Sequence, residues 1–269
     1  MTDVLRIERA DHSPHVETWT LDLPDQRNPI SGTDMVEALV DNLARVDGDT
    51  DVRCVVLTGE GKAFSGGGNV RDMEERRGMF GGSPWELRNG YRHGIQQIPV
   101  AMARCETPVV AAVNGPAVGA GCDLTLMCDL RIASTSAWFA ESFVQLGIIP
   151  GDGGAWLLTQ AVGPARAAEM ALTGDRVDAA TALDWGLVSQ VVEPDALLPA
   201  AYALAARVAK NPPHATRMAK KLLRASQQQG LTEVLELSAA MQALSHHTTD
   251  HPEALAAVRE KRSGDFQGS

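Results

Sequence analysis

Short apolar runs bounded by turns recur through the first two-thirds of the chain: VRCVVLT at 52–58, VVAAV at 109–113, LRIA at 130–133 and LVSQVV at 187–192. Runs of that length predict strands buried on both faces, as in a parallel sheet covered by helices. Residues 3–10 and 15–23 predict a strand pair, with Val16, Trp19, Leu21 and Leu23 as the apolar positions of the second. Between the strands the period changes. Met35, Val36, Leu39, Val40 and Leu43 follow helical spacing and predict an amphipathic helix over 34–46. Further helices are expected at 70–77, at 91–105 (imperfect because of Pro99), and at 155–162 and 164–172. The glycine-rich stretch 78–84 reads as a mobile, lid-like loop. From Pro194 the composition becomes rich in Ala, Leu and Lys, and helices are expected at 195–210, 212–228, 231–245 and 251–262. The fold class is α/β: a core over 1–193 built from repeated ββα turns, and a helical portion over 194–269. Helices with no sheet of their own often cover a neighbouring subunit, so an oligomer is expected.

Two of the predicted strands end alike. The run 52–58 passes into Gly59–Asn69, which contains Gly66-Gly67-Gly68, and the run 109–113 passes through Asn114-Gly115-Pro116 into Gly119-Ala120-Gly121. Each knuckle of small residues leads into a predicted helix. Neither is a phosphate loop. Gly61-Lys62 lacks the upstream glycine and the following Ser or Thr, and Arg71 and Leu124 stand where the last glycine of GxGxxG belongs. They are either plain tight turns, which glycine suits, or a pair of backbone donors. A strand entering a helix through small residues leaves free N–H groups before the helix, a place suited to negative charge. Two such knuckles aimed at one point make an oxyanion hole.

Composition narrows the partners. The 269 residues carry a formal charge of −10, which argues against nucleic acid and anionic membranes but leaves room for a small anionic ligand met by local cations. Cys54, Cys105, Cys122 and Cys128 form no CxxC pair and read as free thiols in a reducing compartment. The charged N-terminal stretch lacks the apolar segment of a signal peptide, and no run of about 18 apolar residues predicts a membrane span. A cytoplasmic location is expected. His246, His247 and His251 cluster, but no acid or cysteine set completes a metal site with them.

The longer motifs carry a resemblance. GKAFSGGGNVRDM at 61–73, VVAAVNGPAVGAGCDLTLMCDLRIAS at 109–134 and FVQLGIIPGDGG at 143–154 resemble the crotonase superfamily, the enoyl-CoA hydratase/isomerase proteins. LPDQRNPI at 23–30, TGDRVDAATALDWGLVSQVV at 173–192 and NPPHATRMAKKLL at 211–223 support it, so it spans essentially the whole chain. The resemblance implies a coenzyme A thioester as substrate and no separate cofactor or metal. It places the oxyanion donors on Gly68 and Ala120, where alanine keeps the N–H that glycine usually supplies. It also implies a homotrimer or a dimer of trimers. Asp123 matches one of two catalytic glutamates, one methylene shorter. Contacts to substrate or CoA fall on Gln26, Arg27, Gly66, Asn69, Val70 and Arg71, then on Gly119, Phe143 and Gly147. Lys261 matches a lysine that reaches a neighbour's CoA, although Val258 replaces its aromatic companion.

One departure bears on the reaction. Aligned on Gly147 and Pro150, Phe143 stands where the second glutamate of hydratases belongs. Hydration wants one group to deliver hydroxide and another to handle a proton, and a phenyl ring does neither. Glu141 shares Phe143's face if the local chain is extended, and Asp152 lies in the loop 151–154, so both are candidates to compensate. Hydration with Asp123 as general base, double-bond isomerisation, thioester hydrolysis and acyl-CoA binding without turnover all remain open at this point.

Overall fold

The apolar runs assemble into one six-stranded sheet. The computed structural model describes residues 4–10 and 13–269; residue 3, expected to start the first strand, lies outside them. Strand β1 (Leu5–Ala10) pairs antiparallel with β2 (Ser13–Leu21), and α1 (Thr33–Asp47) follows. Next come β3 (Cys54–Gly59), α2 (Val70–Glu74), α3 (Pro84–His93), α4 (Gln97–Arg104) and β4 (Val109–Val113). A short β5 (Ala117–Val118) opens onto α5 (Ala120–Met127), then β6 (Leu130–Ser134) and β7 (Trp138–Ala140). The core continues through α6 (Gly154–Thr173), β8 (Val177–Asp178), α7 (Ala179–Asp184) and β9 (Gln190–Val192). The chain then runs through α8 (Leu197–Ala209), α9 (Pro213–Ala225), α10 (Leu231–His246) and α11 (Asp250–Glu260).

The main sheet has the order β1-β2-β3-β4-β6-β9, parallel from β2 onward, and β5, β7 and β8 form a separate small sheet. The central strands β3 and β4 are almost wholly apolar because each face is covered. One face meets α1, whose Met35, Val36, Leu39 and Leu43 are buried, together with α4, α5 and α6. The other face carries Val16, Cys54, Val56, Val110, Ala112 and Ile132, and α8 lies on it through Leu197, Ala201, Ala205 and Ala209. Alanine at those α8 positions lets the helix come close to the sheet. Each large side chain fully buried in these layers contributes about 1.5–3 kcal/mol.

Two local expectations are corrected. The helix expected over 91–105 is two helices, broken at Gly94, whose backbone leaves the helical region. Pro99 is the third residue of α4, where a missing N–H costs nothing because first-turn donors have no partner inside the helix. The stretch expected to be only a loop, 78–84, holds a 3-10 turn at Gly78–Phe80 and ends in a capping box. There Ser83 Oγ accepts from Glu86 N, and Glu86 Oε2 accepts from Ser83 N at 2.7 Å. The break between the helices expected at 155–162 and 164–172 is present: α6 is interrupted at Gly163, with φ 79°. No helix among the described residues is long and apolar enough to cross a membrane.

Helix α9 is fastened by cations. Arg217 donates to the carbonyls of Val46, Asp47, Asp49 and Val52. Lys220 donates to Thr107 O at 2.7 Å and pairs with Asp129 at 2.8 Å, and Arg224 joins Asp129 at 2.9 Å. The helix thereby closes the entrances to β3 and β4.

Candidate active site

Both glycine knuckles lie at the ends of neighbouring parallel strands, β3 and β4, and the backbone sews them together. Asn28, fully buried, anchors the first: its Nδ2 donates to the carbonyls of Glu60, Ala63 and Phe64. Ser65 Oγ donates to Asn28 O at 2.7 Å and accepts from Gly67 N at 3.1 Å. Ser65 N then donates to Pro116 O at 3.2 Å, and Val118 N donates to Ser65 O at 3.0 Å. Neither Asn28 nor Ser65 stood out in the sequence, because a side chain bonded to backbone leaves no pattern there.

The close approach explains the glycines. Gly67 sits at φ 83° with its Cα against the second knuckle, where a Cβ would collide with the Val118 carbonyl and stand 3.1 Å from Ala120 N. Gly121 lies as tightly against Ser65. Gly119, at φ 52°, donates to Ala140 O at 2.8 Å and turns the chain into α5. Ala120 is the first residue of that helix, so its N–H has no acceptor one turn back. Among the described residues neither the Gly68 nor the Ala120 N–H donates to a protein acceptor.

Asp123, Glu141 and Asp152 meet beside this point. They come from the first turn of α5, the end of β7 and the loop before α6, with 0%, 1% and 2% exposure. Asp123 is within hydrogen-bonding reach of both others. A Cβ at Gly154 would drive into the Asp123 carboxyl, so the absence of a side chain there makes its space. Among the described residues no cation pairs with the three, and no side-chain donor outside the group reaches Asp123 or Asp152; the Cys122 thiol lies beside Glu141. Burial and then the charges of Glu141 and Asp152 hold Asp123 well above the usual carboxylate range. Burial pushes Glu141 up to about 7 and raises Asp152 as well, and their bonds to Asp123 oppose both rises. Facing carboxyl oxygens bond only when one of the pair carries a proton.

Phe143 lies against the second knuckle. Its ring lies 3.4 Å from the position of a Cβ on Gly119. Other half-buried side chains gather round the knuckles. Met73 and Phe80 lie over Gly68, and Tyr91 packs edge-on to Phe80 at 6.3 Å and touches Gly151. None of these three was singled out from the sequence, since they belong to the 70–93 segment, whose packing is tertiary.

The residues expected at the CoA end form an exposed rim. Gly66 N donates to Arg27 O at 2.7 Å, Arg27 is left-handed with φ 62°, and Gln26 beside it is exposed. Asn69 caps α2 by accepting from Arg71 N and Asp72 N, so Val70 and Arg71 project outward, Arg71 against Glu75 at 3.4 Å. Gly147 is left-handed at the end of the 3-10 turn Ser142–Leu146. Lys261 is exposed at the end of α11, and no described contact joins it to the rim.

This arrangement has close counterparts. A model of the enoyl-CoA hydratase/isomerase family matches residues 12–269. The chain belongs to the enoyl-CoA hydratase/isomerase family. A probable enoyl-CoA hydratase of Mycobacterium leprae is 35% identical over 96% of this chain and 96% of its own. The 1,2-epoxyphenylacetyl-CoA isomerase of Escherichia coli is 34% identical, over 94% of this chain and 97% of its own. The crystal structure of an enoyl-CoA hydratase from Bacillus anthracis superposes with a TM-score of 0.91 at 32% identity, covering 99% of this chain and all of that one. The crotonase-type α/β fold is therefore shared along the whole length. The enoyl-CoA hydratase/isomerase family contains members named for both reactions.

Proposed function

We propose that the protein acts on a coenzyme A thioester as an enoyl-CoA hydratase, with Gly68 and Ala120 as oxyanion donors and Asp123 as the proton-handling group. The observation that carries this is the contact of the two knuckles: it sets two unspent N–H groups side by side, with an acid one helical turn further on. Adding water to a conjugated thioester puts negative charge on the carbonyl oxygen in the transition state. Each donor aimed there is worth roughly 2.7–4 kcal/mol. Proline at 120 removes one donor outright, and retained turnover in that variant would count against the assignment.

Arg27 and Arg71 are the cations offered to the CoA phosphates, with Gln26, Gly66, Asn69 and Val70 along the same rim. No cofactor beyond the thioester's own CoA enters the chemistry, and the protein works in the cytoplasm. Residues 1–193 hold the site, and 194–269 serve assembly into a trimer or dimer of trimers, with Lys261 directed to a neighbour's CoA. Exposed Leu231, Leu235, Leu244 and Leu255 on α10 and α11 support assembly; a monomer by light scattering would end that part of the reading.

Double-bond isomerisation is the second reading, favoured by the phenyl ring of Phe143 at Gly119, because one acid suffices to move a proton along a chain. The test is incubation with crotonyl-CoA while following loss of the conjugated thioester absorbance. Loss supports hydration. No loss with tight binding of the ester sinks it, and a 3-enoyl-CoA then separates isomerisation from binding without turnover.

A further inference from the structure

We infer that Asp123 and Asp152 form a proton-sharing pair, with Asp123 as donor and Asp152 as acceptor, and that Glu141 is the positioning residue that keeps the pair in that state. This rests on the hydratase reading, and supplies the second group that Phe143 cannot.

The argument begins from what surrounds Asp123. Glu141 faces it from the end of β7, Asp152 from the loop before α6, and Cys122 is its neighbour on α5. Tyr91 on α3 looks toward Asp152. The buried cation on the next strand, Arg131, is spent on the carbonyls of Thr125, Cys128 and Leu187. The three carboxyls thus have no counter-charge, and an uncompensated buried carboxylate is costly enough that one member keeps its proton. Asp123 is the member within reach of both others, so a proton on it is drawn by two neighbouring carboxylates and can be donated to either, whereas a proton on Glu141 or Asp152 faces one. Asp123 is then an acid in the resting protein, opposite to the general-base role expected from its position in the family.

Hydration follows with both roles filled. The water oxygen bonds to the β-carbon as its O–H bond breaks and that proton passes to Asp152. The alkene electron pair moves to the α-carbon, supported by the thioester oxygen in the hole, and the α-carbon takes the Asp123 proton as that O–H bond breaks. Asp152 is left protonated and Asp123 ionised. The proton returns across the hydrogen bond between them, and the site is reset with nothing else consumed.

The test uses the full chain labelled with carbon-13 at aspartate and glutamate carboxyls, titrated by NMR, with the Asp123 signal assigned by its loss in Asp123→Asn. The expected result is a neutral Asp123 carboxyl at neutral pH, whose midpoint falls by at least about one pH unit in both Asp152→Asn and Glu141→Gln. Against crotonyl-CoA, Asp152→Asn should lose at least about 100-fold in kcat with KM little changed, and Asp152→Glu should recover part of it. Glu141→Gln should shift the pH profile of kcat rather than abolish turnover. An ionised Asp123 in the wild-type protein at neutral pH overturns the proposal, whether or not the variants fold. So does an Asp123 midpoint indifferent to both changes, or full hydration by Asp152→Asn. A wild-type protein that does not hydrate crotonyl-CoA fails the hydratase reading instead, while the titration still decides the shared proton.

Discussion

Arg217 and Lys220 on α9 are nearly as deeply buried as Asp123, Glu141 and Asp152, with exposures of 5% and 7%. The two groups are built on opposite terms. The α9 cations are well supplied with acceptors: Arg217 reaches four carbonyls through its terminal nitrogens, its Nε alone being without a partner, and Lys220 and Arg224 share Asp129. Around the acids, among the described residues, the side-chain donors are the acids themselves and the Cys122 thiol beside Glu141. Buried charge met by several acceptors holds elements together, and buried charge left to its own kind costs stability that chemistry would justify. The contrast separates structural from functional polarity without a bound ligand.

The strongest way to break that contrast is Asp123→Asn. On the functional reading kcat falls about 1000-fold, roughly 4 kcal/mol of barrier, while the thermal midpoint holds or rises, because a neutral amide donates to both neighbours. Calorimetry beside a turnover assay checks it; a large loss of stability would make Asp123 a structural acid. Arg217→Met should do the reverse, removing roughly 3–5 kcal/mol in urea unfolding while the folded fraction keeps its kcat. Next in size is pH. Burial raises Glu141 from 4.5 to about 7 in the folded protein, so the native state binds more protons than the unfolded one across that window. Its contribution is complete below about pH 4.5 and is lost as pH rises to about 7, up to about 3 kcal/mol. Unfolding measured from pH 4.5 to 8 should show the fall, and Glu141→Gln should flatten it. The smallest effect sharpens the comparison from outside both groups. Asn69→Ala removes the α2 cap at a cost of about 1 kcal/mol, read as faster exchange of the Arg71 and Asp72 amides.

How much of this was legible beforehand depended on the range of the interaction. Strands β3, β4 and β6 could be read as apolar runs because burial on both faces removes alternation, and the two knuckles because a tight approach demands glycine in the local sequence. The break at Gly94 was not, since proline is the louder signal and only its place in the helix says whether it interrupts. Strands β5 and β8 have two residues each and leave no period. Within the candidate site, the expectation for Gly68, Ala120 and Asp123 came from two short segments. That Glu141 and Asp152 both reach Asp123 was not legible, because three separate elements bring those side chains together and no spacing records it.

The two knuckles carry a further consequence for how such a protein can change. The donors proposed at Gly68 and Ala120 are main-chain N–H groups, and what brings the two knuckles together is the pressing of the Gly67 Cα on the next backbone. Any substitution at position 120 other than proline alters a side chain and keeps the N–H. The acids have no such protection, since a single substitution removes the carboxyl itself. A scaffold of this kind lets the chemistry drift while the grip on the substrate stays put.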